Sequence, residues 1–125
     1  MEHHVYVAIF KDSSVFFTAR EVDNPPDDSE ASYEWAIEQK EKGQGSRPLV
    51  AKTIEFNGQS ENTIIARSLD ENEAEELKSD LIRHFRETLP KGRVLNVRVS
   101  RPECSLSPDV VKSAVQKVIK CIQSA

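Results

Sequence analysis

The stretch from Asn62 to Arg98 constrains the fold more than any other part of this chain. An apolar run, Thr63-Ile64-Ile65-Ala66, passes through Asp70 into a segment that carries Ala74, Leu77, Leu81, Phe85 and Leu89 at helical spacing and stops near Pro90. A second apolar run, Val94-Leu95-Asn96-Val97, follows at once. Strand, helix and strand in such close succession form a unit that can build a layered core of sheet and helix. Asp70 with Glu73 has the spacing of a capping box, and Glu71, Glu75 and Glu76 place further anions in the opening turns. Arg83, His84 and Arg86 sit in the closing turns, so the charges suit the helix dipole.

Around this unit the chain divides at its turn residues. Val5 to Phe10 and Val15 to Val22 are β-rich and flank Lys11-Asp12-Ser13-Ser14, which predicts a hairpin. Asp23-Asn24-Pro25-Pro26-Asp27-Asp28 cannot continue a strand and reads as a surface loop. Ser29 or Ser32 can cap a following helix that runs to about Lys42, stops at Gly43 and Gly45, and shares Tyr33, Ala36, Ile37 and Lys40 on one face. Leu49 to Phe56 reads as a strand, and Asn57-Gly58 suits the positive φ angles of a tight turn into the run from Thr63, hence a second hairpin. Lys91-Gly92-Arg93 turns into a strand from Val94 to Val99, and Pro102 and Pro108 bracket a loop. Ser107-Pro108 starts a last helix with Val111, Val115, Val118 and Ile122 on its stripe, widened by Val110, Ala114 and Ile119. The expected order is ββαββαβα: an α+β fold, its mixed or antiparallel sheet packed by two to three helices.

A chain of 125 residues has room for one core, so residues 1–125 are expected to form a single domain. Its apolar runs are only a few residues long, against the roughly 20 needed to cross a bilayer. Met1-Glu2-His3-His4 lacks the basic start and apolar middle of a signal peptide, so the expected location is the cytoplasm. Two cysteines, Cys104 and Cys121, fall outside any CxxC spacing and read as plain thiols.

Charge is distributed unevenly. Residues 1–82 hold 18 acidic and 8 basic side chains, a balance of −10, whereas residues 83–125 hold 3 acidic and 9 basic ones, a balance of +6. Two surfaces stand out. Glu21, Asp23, Asp27, Asp28 and Glu30 crowd ten residues with no basic side chain between Arg20 and Lys40, and Tyr33 and Trp35 follow closely. Such a loop can dock on a basic partner, with the aromatics as anchors. Arg83, Arg86, Lys91, Arg93, Arg98 and Arg101 can instead gather at one edge and contact phosphates, with Lys112, Lys117 and Lys120 adding to them. Aromatic interleaving of the kind that stacks single-stranded bases is absent there.

No catalytic signature accompanies these surfaces. His3 and His4 lie at the chain start, where fraying is expected, and His84 lies on the long helix; all three read as solvated and none has a metal-ligand or acid–base partner spacing. No phosphate-binding glycine motif occurs, and Lys42-Gly43-Gln44-Gly45-Ser46 reads as a helix stop. Neither a metal nor another cofactor is expected.

The order of elements nevertheless brings out one family likeness. Val5-Tyr6-Val7, Val15-Phe16-Phe17-Thr18-Ala19-Arg20, Asp70-Glu71-Asn72-Glu73-Ala74, Leu81-Ile82 and Gly92-Arg93-Val94-Leu95-Asn96 together resemble a GIY-YIG nuclease domain over about residues 4–98. The resemblance implies a metal-assisted phosphodiester cleavage by a tyrosine from each of the first two strands, an arginine on the first helix and a metal-binding glutamate on a later helix. Carried over, it keeps Tyr6 but places Phe17 at the second tyrosine, Ala19 at the glycine and Lys78 at the glutamate, with Glu75 and Glu76 directed elsewhere by helical spacing. A nuclease would then need Tyr6, Arg20 and Glu75 or Glu76 in adapted roles. The first expectation is therefore a small non-catalytic binding protein, an inhibitor or accessory module, that docks a protein partner through the acidic loop and its aromatics. The alternative is a GIY-YIG-like nuclease or a nucleic-acid-binding protein that uses the basic end.

Overall fold

The computed structural model describes residues 2–97, 99 and 106–124. Three strands and four helices follow in the order β1 (His3–Ile9), β2 (Val15–Glu21), α1 (Ser29–Lys42), α2 (Arg47–Glu55), β3 (Glu61–Leu69), α3 (Glu71–Thr88) and α4 (Pro108–Ser124). The architecture is α+β. β1 lies at the centre of a three-stranded sheet of order β2-β1-β3 and pairs antiparallel with both neighbours. The hairpin predicted at the start is present. Its turn is closed by Phe10 N–H to Ser14 O at 2.9 Å and Ser14 N–H to the Asp12 carboxylate at 3.0 Å.

Alternation along the strands gives the sheet two faces. Val5, Val7, Ile9, Val15 and Phe17 point to one of them, where α3 brings Ala74, Leu77, Leu81 and Phe85 and α4 brings Ala114, Val115 and Val118. The Phe17 and Phe85 rings stack there with centroids 5.7 Å apart. α3 begins as its sequence predicts, with Asp70 and Glu73 bonded to each other's backbone in a capping box. α4 likewise begins at Pro108, although Val110 on its expected stripe is exposed.

The other face carries His4, Tyr6, Ala8, Phe16, Thr18 and Arg20, and α1 and α2 pack together above it. Asp28 caps α1 rather than Ser29 or Ser32, and Gly43 ends it with φ +66°. Lys52 of α2 forms an ion pair with Asp12 in the β1–β2 turn, and Phe56 meets Phe10 at 5.9 Å, so α2 is tied to the hairpin at two points.

Two expected strands are absent among the described residues, which corrects the ββαββαβα order. Leu49 to Phe56 lies mostly in helix α2: Pro48 occupies the first turn, and Val50 and Thr53 are buried three residues apart. The β-branched content of that segment obscured the start signal of Ser46-Arg47-Pro48. Asn57 and Gly58 do adopt positive φ, 53° and 74°, but they end α2 instead of closing a hairpin, with Gly58 N–H bonded to Thr53 O at 2.7 Å. A Cβ on Gly58 would lie 2.0 Å from Ser29 O, so glycine is also what lets α1 start so close to this turn. The strand expected over Val94 to Val99 is reduced to one parallel bridge between Val15 and Val94, and its residue 98 lies outside the described residues.

His3 and His4 are ordered in β1 rather than frayed. His4 is buried, with its ring 6.2 Å from Tyr6, and His84 sets its ring edge against Phe85 at 4.9 Å, so neither is the solvated side chain expected. No helix of the described residues is long and apolar enough to cross a membrane. Cys121 is a partly buried free thiol, and Cys104 lies outside the described residues.

Candidate functional site

β2 has solvent-reachable clefts on both sides, and they differ in chemistry. Along its outer edge runs an open cleft of about 930 Å³ lined by Phe16 to Ala19, the α1–α2 connection with Arg47, and Lys78, Asn96 and Val97. Asn96 builds its floor. After Leu95 N–H reaches Val15 O at 2.9 Å, the backbone stops pairing and the Asn96 side chain replaces it: Phe17 N–H donates to Oδ1 at 2.8 Å and Nδ2 donates to Phe17 O at 2.9 Å. A side-chain amide has the donor and acceptor of a peptide group, which is why it can substitute for one. Arg86 of α3 fixes the same turn, donating from one Nη to Asn96 O at 2.6 Å and to Val97 O at 3.0 Å.

Of the residues that the nuclease resemblance places at family site positions, Phe17, Ala19 and Lys78 line this cleft, together with Asn96. Tyr6 points to the opposite face of the sheet, cross-strand from Thr18. Lys78 is paired with Glu75 at 2.9 Å, and the buried Glu76 carboxylate accepts Leu106 N–H at 2.9 Å, anchoring the approach to α4. Among the described residues, no three or more His, Cys, Asp or Glu side chains are grouped to hold a metal ion.

The acidic loop and the basic end are placed very differently. Glu21, Asp23, Asp27, Asp28 and Glu30 are all exposed, and none forms an ion pair with a described residue. Asp28 alone forms a side-chain hydrogen bond, accepting Ala31 N–H at 2.9 Å as the α1 cap, while Glu21 ends β2 and Glu30 lies in the first turn of α1. Tyr33 and Trp35 are partly buried on different flanks of α1: Trp35 faces the sheet, while the Tyr33 backbone lies over Gly58. At the basic end, Arg83 pairs with Asp80 at 3.1 Å and Arg86 holds the two carbonyls, while Lys117 donates to Ile65 O at 3.3 Å. Lys91 is exposed and Arg93 partly buried; Arg98 and Arg101 lie outside the described residues.

Three carboxyls among the described residues are perturbed; on the exposed surface of α1 the hydrogen bond from Lys42 and its charge lower Glu38. Partial burial pushes Asp80 up, opposed by Arg83 and reinforced by the like charge of Glu76. Burial also acts to raise Asp12, but hydrogen bonds from Lys52 and Ser14 outweigh it and hold the group at about 2.

On the inner side of β2, between the sheet and the α1–α2 pair, lies a smaller cleft of about 360 Å³. Ala8, Phe16, Trp35 and Leu49 make its walls apolar, and Thr18, Arg20, Asp27 and Asn62 bring polar groups to it. Arg20 is partly buried, and its side chain makes neither a hydrogen bond nor an ion pair with any described residue. Sequence reasoning named Arg20 only through the nuclease resemblance and missed Asn96 and Arg47 as cleft residues. The signal for Asn96 was present, since a lone amide within an apolar run is a polar group that must be bonded once buried.

Comparison with known proteins returns no relative. No protein-family model matches the chain, and neither the curated proteins nor the solved structures yield a significant match.

Proposed function

We propose that this chain is a non-catalytic binding protein that docks a basic face of a protein partner through the loop from Glu21 to Glu30. The observation that carries the reading is that this loop's charge is uncommitted: five exposed carboxylates, no ion pair to a described residue, and one structural bond, made by Asp28. Charge that the fold does not use inside is available for steering and recognition outside. The basic end offers less, because Arg83 and Arg86 already bond within the chain. The test replaces Glu21, Asp23, Asp27 and Glu30 with their amides and leaves Asp28 to cap α1. Partners retained by the immobilised wild type at low salt are identified, purified and titrated against both forms. Association is expected to slow by about tenfold or more in the variant at low ionic strength; equal rates for both forms would reject the loop as the docking surface.

One arrangement favours a second reading. Phe17, Lys78 and Asn96 share the outer cleft with Arg47; Lys78 is paired with Glu75, and none of the described residues lining the cleft is a carboxylate. On this reading a GIY-YIG-like scaffold retains a phosphate-binding groove without the metal-binding glutamate. Labelled DNA and RNA, single- and double-stranded, with Mg²⁺ or Mn²⁺ present, should then bind without being cut. Binding should weaken with salt and with Arg47→Glu. Undetectable binding removes this reading, and cleavage replaces it with a nuclease.

A further inference from the structure

We infer that the inner cleft binds a small dipolar aromatic molecule of the amino-acid kind, with its carboxylate on Arg20, its ammonium on Asp27 and its ring against Trp35 and Phe16. The inference goes beyond the docking reading and shares only Pro26 and Asp27 with it. At about 360 Å³ the cleft falls at the small end of sites that take single small molecules, roughly 300–1,000 Å³.

Its chemistry narrows the ligand further. Arg20 and Asp27 carry opposite charges and line the same cleft, yet neither forms an ion pair with the other or with any other described residue. A simple anion would satisfy Arg20 and be opposed by Asp27. A simple cation would meet the reverse problem, and a neutral ring would leave a partly buried guanidinium without an acceptor. A molecule that bears both charges at one end of a ring answers all of these groups together. The guanidinium fork matches a carboxylate in two parallel hydrogen bonds. Thr18 follows on the same face of β2 two residues away, and Asn62 comes from β3; neither side chain bonds a described residue, so both can orient the polar end. Trp35 and Phe16 supply flat apolar surface for the ring.

Trp35 is the only tryptophan in the chain, so its fluorescence reports this cleft directly. The full chain is titrated with L-phenylalanine, phenethylamine, which lacks the carboxylate, and 3-phenylpropionate, which lacks the ammonium. L-Phenylalanine is expected to give a saturable change in Trp35 emission, with each truncated probe binding about tenfold or more weakly, the size of one charge-assisted contact. Arg20→Gln should bring L-phenylalanine down to the level of phenethylamine. The ligand series on the unsubstituted protein keeps the inference falsifiable should that variant fail to fold. No saturable response to any probe, equal binding of all three, or an unchanged ranking in a folded Arg20→Gln protein would overturn it. Failure here leaves the loop's docking to be judged separately, because Glu21, Asp23 and Glu30 take no part in this cleft.

Discussion

The acidic loop and the basic end are mirror images in sequence and opposites in structure. Both concentrate one sign of charge in a short stretch. In the loop the carboxylates form no ion pair with a described residue, and only Asp28 makes a side-chain bond, the α1 cap. At the basic end the guanidinium of Arg86 holds the backbone carbonyls of Asn96 and Val97, and Arg83 answers Asp80. The contrast teaches that a charge run says little about recognition until its internal bonds are known. Exposed charge without a partner is free for another molecule, whereas bonded charge belongs to the fold.

That contrast can be broken or sharpened by stability measurements in denaturant, taken from the largest expected effect to the smallest. Gly58→Ala forces a Cβ to within 2.0 Å of Ser29 O at a positive φ and should cost about 2–4 kcal/mol. It loosens the base on which the loop's helix starts. Asn96→Ala leaves the buried amide and carbonyl of Phe17 unpaired and should cost about 2–3 kcal/mol. Arg86→Ala should cost about 1.5–2 kcal/mol, the scale of a charged donor bonded to carbonyls; a loss under about 0.5 kcal/mol would show that the basic end is as uncommitted as the loop. Asp28→Ala should cost about 1 kcal/mol through the lost cap.

Asp12→Asn should cost about 1 kcal/mol near neutral pH, allowing for solvent around its ion pair with Lys52. The sign follows from a native carboxyl held at about 2, below its ordinary 3.8. Its contribution is present above 3.8 and fades as pH falls toward 2, so the difference between the two proteins should shrink over that window. Neutralising Glu21, Asp23, Asp27 and Glu30 together should change stability least, within about 0.5 kcal/mol. A large loss there would mean that the loop is structural after all.

What the sequence disclosed follows the range of the interactions involved. The starts of α3 and α4 were legible because Asp70, Glu73 and Pro108 act within a single turn. The first hairpin was legible for the same reason. α2 was misread because Val50, Thr53 and Ile54 favour strands locally, while the tertiary contacts that favour a helix there, Lys52 to Asp12 and Phe56 to Phe10, reach back about 40 residues. Of the candidate surfaces, the exposure of the acidic loop could be read from its prolines and charges. The commitment of Arg86 could not, because its acceptors are backbone carbonyls ten and eleven positions onward that carry no mark in the sequence. Trp35 was placed with Tyr33 by proximity in the chain, but a two-residue separation on a helix sends them to different flanks.

The amide of Asn96 has a final consequence for how the protein behaves in company. Along the first half of β2 it and the bridge at Val94 occupy the outward-facing rungs of Val15 and Phe17, so no foreign strand can add there. Asn96→Ala would uncover the Phe17 rung while leaving the Val94 bridge in place, and an unpaired rung is where another molecule's strand can pair. The Asn96 amide and the Val94 bridge thus share the closing of this stretch of sheet edge.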